Sequence, residues 1–173
     1  MQFVSCTAQQ HAAAILEIFN EAILNSTALY DYYPRTMDTM ANWFRVKQAS
    51  DYPVIGVENE HGVLMGFASY GMFRERPAYK YSVEHSVYVH KDHRAKGLGL
   101  ALMHELIAAA REQQFHVLVG GVDTSNGASI AMHEKLGFTH AGTIRQAGFK
   151  FGRWLDLAFY QLILETPRHP ADG

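Results

Sequence analysis

The chain has 173 residues, 48% of them hydrophobic and 18% charged, with a formal net charge of −2 at pH 7. This composition predicts a single folded domain over residues 1–173 with its own core, and it excludes a disordered chain. The near-neutral charge without a basic cluster disfavours nucleic acid as a partner, and no apolar run is long enough for a transmembrane helix.

A single cysteine, Cys6, excludes an intramolecular disulfide and is typical of a reducing compartment. The N-terminal sequence lacks the basic and apolar regions of a secretory signal peptide. We therefore expect a cytoplasmic protein.

A strand and a helix are predicted first. Gln2–Ser5 can form the strand, and the pair Thr7 and Gln10 matches a capping box. The helix follows over Ala8–Leu24, where apolar residues recur on one stripe. The aromatic segment Asn25–Arg35 lacks periodicity and is predicted to be a loop, whose tyrosines either cover the edge of the core or form a wall for a substrate.

A second helix and a hairpin are predicted next. The helix spans Thr39–Ala49, with Asp38 as its cap and Trp43 facing inward. The strands Pro53–Glu58 and Val63–Met72 follow, joined by a short polar turn that ends in glycine.

The connection Phe73–Tyr79 contains two arginines and a proline. It can be an ordinary solvated connection, which is the common use of such a segment. The rigid fork of arginine, however, suits carboxylate, phosphinate or sulfonyl oxygens. We therefore predict Arg74 and Arg76 as clamps for a small acidic substrate, with Phe73 and Glu75 beside them.

The segment Val83–Val89 alternates and is rich in β-branched residues, so it predicts a strand. Alternation sends Glu84, Ser86 and Tyr88 to one face and Val83, His85, Val87 and Val89 to the other. A charged side chain within an apolar strand needs a partner or a function. Glu84 is therefore either a structural carboxylate or a functional one.

A basic, glycine-containing turn, Arg94-x-x-Gly97-x-Gly99, leads directly into a predicted helix over Leu98–Gln113. Glycines let a ligand approach the backbone, and the free N–H groups of a helix start favour an anion. Arg94 and Lys96 add positive charge. The spacing is neither that of a P-loop nor that of a dinucleotide-binding turn, yet it predicts a phosphate-bearing ligand.

This turn resembles the pyrophosphate loop of the GNAT acyltransferases, which bind acetyl-coenzyme A (acetyl-CoA). The resemblance implies that the coenzyme is held by the turn and by the main chain of the preceding strand. The residues implied are Arg94, Ala95, Lys96, Gly97, Leu98, Gly99 and Leu100 in the turn, and Val87, Tyr88 and Val89 in the strand.

The C-terminal half begins with an apolar strand, His116–Val122, and a helix, Gly127–Leu136, closed by Gly137 in a left-handed conformation. Asn126, Ser129 and His133 share one face of this helix.

A strand over Phe138–Ile144, a turn region over Gln146–Arg153 and a final strand over Trp154–Leu164 complete the prediction. The polar tail from Glu165 is expected to be frayed. The predicted order is β-α-α-β-β-β-α-β-α-β-β, an α/β (α+β) fold with one mixed central sheet flanked by helices.

The predicted helix Gly127–Leu136 and its flanks resemble a second GNAT signature, which runs from Asn126 through Ser129 and His133 to Phe138. The segment Met132–Glu134 resembles the phosphinothricin N-acetyltransferase family, as do Val83–Val89 and Ala147–Asp156. The resemblance covers about Ala12 to Leu164 and implies a GNAT fold, a homodimer, and coenzyme contacts from Asn126, Ser129 and Lys135.

The same family implies N-acetylation of phosphinothricin, methionine sulfoximine, methionine sulfone or related amino acids. The Glu-His-Ser form of the central strand is closer to the methionine sulfoximine and sulfone subgroup. The Arg74–Pro77 loop departs from the family pattern by keeping both arginines, so the exact acceptor stays open.

Acetyl transfer requires that the acceptor amine lose a proton, and Glu84 is predicted to take it, directly or through water. The Val87 N–H is the predicted oxyanion donor. His133 either protonates the departing thiolate or relays the amine proton, and His85 and Ser86 join Glu84 in contacting the substrate. Neither Ser86 nor Cys6 has the context of a nucleophile, so direct transfer is expected. The histidines lack metal-ligand spacing, so no metal is expected.

Two alternatives remain open. The chain can be a coenzyme A-binding sensor or an inactive homologue that keeps the anion-binding turn without turnover. Within the enzyme class, a peptide or protein N-terminus is a rival acceptor.

Overall fold

The computed structural model describes residues 1–172, which contain seven strands and four α-helices. In chain order these are β1 (Gln2–Ser5), α1 (Ala8–Asn25), α2 (Met37–Ala49), β2 (Val54–Glu58), β3 (Leu64–Met72), β4 (Ser82–Val89), α3 (Leu98–Glu112), β5 (Val117–Asp123), α4 (Gly127–Lys135), β6 (Thr139–Lys150) and β7 (Arg153–Ile163). Short 3-10 turns lie at Pro77–Tyr79 and Lys91–His93.

The seven strands form one mixed sheet in the order β1-β2-β3-β4-β5-β7-β6. The pairs β1–β2, β2–β3, β5–β7 and β6–β7 are antiparallel, and β4–β5 is parallel. The ladder between β4 and β5 joins Ser82–Glu84 to Val117–Val119, and β4 then continues for five more residues. The predicted fold class and element order are therefore confirmed.

The chain divides into two compact units, which we describe separately. Unit 1 comprises residues 1–70 and 86–106. Its core is centred on Phe19 of α1, whose ring meets those of Phe67, Trp43 and Tyr88 edge-on at centroid distances of 5.1, 5.6 and 5.2 Å. Edge-to-face contacts of this kind add to the free energy gained by burying the rings. The predicted inward orientation of Trp43 is confirmed by its packing against this core.

Unit 2 comprises residues 71–85 and the chain from residue 107 onward. Its interior is formed where β5 pairs with β7 in an unbroken register from Val117–Ile163 to Asp123–Leu157. The side chains of Val83, Leu118 and Leu155 are fully buried there. This near-continuous burial explains why β5 reads as an apolar run in the sequence.

The helix caps differ from two predictions. Thr7 caps α1 by accepting from the Gln10 N–H, but the Thr7 N–H bonds to Nδ1 of His11 (3.0 Å). In α2 the cap is Thr36, which exchanges bonds with Thr39, and the predicted cap Asp38 was wrong. Because Thr36 and Thr39 are three residues apart, each side-chain hydroxyl can accept from the backbone N–H of the other residue. Asp38 instead lies in the first turn of the helix, where a negative charge is favourable.

The turn predicted over Gln146–Arg153 is also wrong. β6 continues to Lys150, and the chain reverses over only two residues, Phe151 and Gly152, with φ of 52° and 73°. Positive φ at both central residues is the geometry of a type I′ hairpin. The ladder of β6 with β7 shifts register between Ile144 and Gly148, and this bulge accommodates the turn-forming residues within a strand.

The tail is ordered rather than frayed over the described residues. The Thr166 hydroxyl donates to the Phe115 carbonyl, and the Thr166 carbonyl accepts from Nδ1 of His116 at 2.7 Å. Farther along, the Ala171 N–H donates to the Tyr81 hydroxyl at 3.1 Å. These bonds attach the tail to the starts of β5 and β4, which a composition-based prediction does not detect.

Candidate active site

Glu84 stands at the last position of β4 that pairs with β5. Its neighbours Val83 and His85 are buried on the other face of the strand, whereas Glu84 is exposed. The strand alternation therefore presents one carboxylate to solvent from an otherwise apolar stretch.

Two opposing influences act on the Glu84 carboxyl. Desolvation by the surrounding atoms raises its pKa above the ordinary value, and the nearby Arg74 guanidinium lowers it by a smaller amount. A carboxylate with a raised pKa is a stronger base and is better matched to taking a proton from an amine near neutral pH. The carboxylate of Glu84 thus has the properties of a general base.

We expect Arg74→Gln to move the acid limb of the kcat/KM profile to higher pH. A general base works only when unprotonated, so activity falls as the pH drops through the pKa of Glu84. Removing the positive charge of Arg74 removes the influence that lowers this pKa. Activity measured from pH 5 to 9 tests this, with Arg45→Gln on α2 as the control. An unshifted limb would separate Arg74 from the ionisation of Glu84.

The loop before β4 contains the other predicted substrate residues. The Phe73 ring makes an edge contact with the Tyr79 ring at a centroid distance of 5.7 Å, and the Arg74 guanidinium lies over the Phe73 ring at 5.1 Å. Glu75 and Arg76 are exposed, and Arg76 precedes the 3-10 turn. Both arginines can therefore contact a ligand, as the clamp hypothesis requires.

His85 and His133 form a buried pair, 6% and 3% exposed. Their Nε2 atoms lie 2.8 Å apart, and Nδ1 of His133 lies 2.7 Å from the Ser129 carbonyl oxygen. Burial lowers the pKa of His85 to about 3, with a further contribution from His133. Burial also lowers the pKa of His133, although its hydrogen bond to the Ser129 backbone acts in the opposite direction. Burial therefore favours the neutral form of both imidazoles.

Gly120 of β5 makes room for this pair. A Cβ built there would lie 2.7 Å from Cε1 of His85 and 2.8 Å from Nε2 of His133. We expect Gly120→Ala to reduce the free energy of unfolding by about 1–3 kcal/mol, because overpacking forces the rings apart.

Urea unfolding tests this prediction, with Gly127→Ala as the matched control. A Cβ at Gly127 meets nothing within 4 Å, so alanine at the start of α4 should be neutral or stabilising. Equal effects of the two substitutions would contradict the steric role of Gly120.

The start of α4 is fixed by its own side chains. Asn126 caps the helix by accepting from the Ser129 N–H at 3.1 Å, and the Ser129 hydroxyl lies 3.4 Å from Nδ1 of His133. The predicted shared face of these three residues is present in the helix. Lys135, in the last turn, is exposed.

Sequence reasoning missed a buried carboxylate just before this helix. Asp123 is 4% exposed and accepts from the N–H and hydroxyl of Ser125 and from Arg153 at 3.2 Å. These bonds fix the turn that leads from β5 to Asn126. Its only sequence signal was an acidic residue at the end of an apolar strand.

The anion-binding turn has an unusual backbone. Ala95 and Gly97 adopt left-handed conformations with φ of 61° and 76°, and α3 begins at Leu98. Left-handed residues in a turn orient successive N–H groups toward one point, forming a concave anion site. A non-glycine residue in this region is strained, which is common at binding sites. The turn can therefore hold a diphosphate through its main chain, with Gly99 and Leu100 in the first helical turn.

Arg94 has partners that sequence reasoning did not find. Its guanidinium forms an ion pair with Glu21 of α1, and its Nε–H donates to the Val89 carbonyl at 3.3 Å. One helical turn earlier, Glu17 accepts from His90 at 3.3 Å. The guanidinium is thus held against α1, while Nζ of Lys96 donates to the Asp92 carbonyl at 3.3 Å. The sequence signal for these contacts was the pair of glutamates, Glu17 and Glu21, placed four residues apart on one face of α1.

The remaining predicted residues lie in the distal part of β4. Ser86, Val87, Tyr88 and Val89 are half-buried. The Tyr88 ring belongs to the core of unit 1. Its contribution to any ligand would therefore come from its main chain, as the prediction for this strand requires.

Cys6 is buried, and burial together with Glu58 raises the pKa of its thiol to about 12. A thiol with so high a pKa is a poor nucleophile at neutral pH, consistent with direct transfer. Within residues 1–172, no group of three or more His, Cys, Asp or Glu side chains is arranged to hold a metal ion, and no helix is long and apolar enough to cross a membrane.

Comparison with known proteins gives consistent matches. Residues 14–138 match the sequence profile of the Acetyltransferase (GNAT) family. An L-methionine sulfoximine/L-methionine sulfone acetyltransferase from Salmonella typhimurium is 46% identical over 160 residues, covering 91% of this chain and 92% of that protein.

Two solved structures are also similar. A protein from Acinetobacter baylyi ADP1 assigned to the acetyltransferases has a TM-score of 0.99 at 62% identity, covering 99% of this chain and 96% of that one. A GNAT superfamily phosphinothricin acetyltransferase from Sinorhizobium meliloti, in complex with acetyl-CoA, has a TM-score of 0.94 at 34% identity, covering 99% and 94%. The similarity thus extends over nearly the whole length of these proteins.

Proposed function

The chain belongs to the GNAT acetyltransferase family and is an amino-acid N-acetyltransferase that uses acetyl-CoA, and from this premise we propose that its acceptors are methionine sulfoximine, methionine sulfone, phosphinothricin and related small L-amino acids. The observation that supports this most strongly is Glu84, an exposed carboxylate in β4 whose pKa is raised by desolvation and which interacts electrostatically with Arg74. Glu84 supplies a base for the amine, and Arg74 supplies a cation for the oxygens of the acceptor.

One domain carries this activity in our proposal. The matched family profile spans residues 14–138 and so includes residues of both compact units.

The coenzyme is held mainly by main-chain groups. The left-handed Ala95 and Gly97 and the start of α3 suit a diphosphate in charge and in shape. The strand residues Val87–Val89 offer their peptide groups to the amides of the pantetheine arm. Asn126, Ser129 and Lys135 lie in α4 and its cap, the helix that we assign to the coenzyme side.

Glu84 takes one proton from the acceptor ammonium group, directly or through water. The freed amine then attacks the thioester carbonyl, and the Val87 N–H stabilises the negative charge that develops on its oxygen. As the carbon–sulfur bond breaks, the attacking nitrogen loses its second proton and the thiolate is protonated. Protonated Glu84 gives its proton to the thiolate and, again ionised, accepts the second proton of the nitrogen, which it releases to water before the next turnover.

A direct proton transfer from His133 is harder to reconcile with the geometry. Each nitrogen of His133 has a hydrogen-bond partner, His85 for Nε2 and the Ser129 carbonyl for Nδ1, so donating to a thiolate would break one of these bonds. We therefore assign the proton steps to Glu84 and a supporting function to His133.

The acceptor is oriented by the loop before β4 in this proposal. Arg74 and Arg76 bind its sulfonyl, sulfoximine or phosphinate oxygens. Phe73 provides an apolar wall, Glu75 lies beside the arginines, and Ser86 lies on the same face of the strand as Glu84. His85 is buried on the opposite face, so we assign it a different function below.

We also propose a homodimer that works in the cytoplasm. The hairpin of β6 and β7 carries exposed aromatic side chains, Phe149, Phe151 and Trp154, at 46–60% exposure. Phe149 and Trp154 are directly paired across the strands at a centroid distance of 5.1 Å. Such a contiguous apolar tip is typical of an interface between copies.

Thiol release from acetyl-CoA with a panel of amines tests the function. Methionine sulfone and methionine form a matched pair that differs only in the sulfonyl oxygens, so we expect a much higher kcat/KM for the sulfone. N-acetylated methionine sulfone, which lacks a free amine, should be inert. Coenzyme binding without turnover of any amino acid would favour a sensor, and preferred turnover of peptide N-termini would favour a peptide acetyltransferase.

A further inference from the structure

The buried histidine pair leaves one polar atom unused. Nε2 of His85 meets Nε2 of His133, and Nδ1 of His133 meets the Ser129 carbonyl. Nδ1 of His85 is buried and has no hydrogen-bond partner. This asymmetry determines where the protons lie.

The direction of the hydrogen bonds follows from the Ser129 carbonyl, which can only accept. Nδ1 of His133 must therefore carry a hydrogen, and a neutral imidazole carries only one. Nε2 of His133 is then an acceptor, so Nε2 of His85 must donate to it. The unpartnered Nδ1 of His85 is left as a bare lone pair.

The surroundings keep the pair uncharged. The rings that contact it are those of Phe138, 5.1 Å from both imidazole centroids, and Tyr160, 6.0 Å from His133. Gly120 of β5 also packs against the two imidazole rings. None of these neighbours carries a charge at neutral pH that would stabilise an imidazolium.

We propose that His85 is a positioning residue for acetyl transfer: its Nε2–H occupies the Nε2 lone pair of His133 and so anchors β4, one residue after Glu84, to helix α4. This inference rests on the proposed function and adds a residue to it. A base must be held within hydrogen-bond reach of its proton, and small displacements lower kcat strongly. The His85 bond fixes the backbone from which Glu84 projects.

The anchor also explains why a histidine occupies this buried position. An apolar side chain would fill the space but leave Nε2 of His133 without a donor in an apolar environment, where an unsatisfied acceptor is unfavourable. Gly120 allows the two rings to make this bond, because any larger residue would enter the space that they occupy.

The proton positions can be measured in the unliganded protein. We expect ¹⁵N spectra of the histidine side chains between pH 6 and 8 to show two neutral rings, with the hydrogen on Nδ1 in His133 and on Nε2 in His85. A charged ring in this range, or the opposite tautomer in either residue, would overturn the proposal. This readout needs no substrate, so it is independent of the proposed function.

Two variants of similar volume separate positioning from packing. His85→Gln keeps an amide donor near the place of Nε2, whereas His85→Met removes the donor. We expect methionine to lower kcat about tenfold, as loss of one buried hydrogen bond implies, and glutamine to retain most of the activity. The KM for acetyl-CoA should stay close to the native value in both variants.

Equal kcat values for the two variants, whether both high or both low, would overturn the proposal. Should His85→Met fail to fold, the comparison of His85→Gln with the native protein and the ¹⁵N spectra still decide it. An inactive native protein, by contrast, would count against the proposed function and leave the proton positions to be judged by the spectra.

Discussion

Glu84→Gln is expected to lower kcat by about 10²–10⁴-fold while leaving the affinity for acetyl-CoA nearly unchanged. The acceptor amine is an ammonium ion at neutral pH, and only its neutral form can attack the thioester. Positioned general bases contribute a rate factor of this size. The amide has nearly the shape of the carboxylate but accepts no proton, so the loss isolates the chemical step.

The pH dependence of the variant provides a second readout. Without the base, only amine that is already neutral can react, so residual activity should keep rising toward alkaline pH. Coenzyme affinity is measured by calorimetry, and Glu105→Gln, an exposed glutamate on α3, is the matched control. A Glu84→Gln enzyme with native kcat would remove Glu84 from the mechanism.

Gly99→Val is expected to weaken acetyl-CoA binding by about 10–100-fold. Gly99 is the second residue of α3, directly after the left-handed turn, where the main chain must approach the diphosphate. A branched side chain there would hold the phosphates away from the N–H groups. Each tenfold loss corresponds to about 1.4 kcal/mol.

Stability separates this effect from damage to the helix. Valine has a higher helix propensity than glycine, so the free energy of unfolding should not fall. Ala108→Val, on the exposed side of the same helix, is the matched control. Unchanged coenzyme affinity in a folded Gly99→Val protein would show that the phosphates bind elsewhere.

Local patterns predicted most of the fold. β4 and α3 were placed to within a residue because alternation, helical periodicity and glycine are short-range signals. The errors arose where two neighbouring residues competed for one role, where a bulge continued a strand, and where tertiary hydrogen bonds held the tail. Thr36 displaced Asp38 as a cap, and the bulge near Gly148 extended a strand through residues that usually make turns.

The site was predictable only in part, for a different reason. Glu84 could be chosen because a charge in an apolar strand is unusual by itself. The partner of His85 is 48 residues away, and that of Arg94 is 73 residues away. Such pairings depend on tertiary packing, so no single-sequence pattern reports them. The buried position of His85 and the hold of Glu21 on Arg94 therefore required the structure.

The acidic side chains of α1 bear on protein engineering. Glu17 and Glu21 resemble ordinary solubilising surface charges, the kind that redesign programmes exchange for lysine or remove to adjust the isoelectric point. Here they hold His90 and Arg94, so such an exchange would release the guanidinium and put like charges side by side. A redesign for solubility should leave this pair intact and draw its substitutions from helix faces that carry no such contacts.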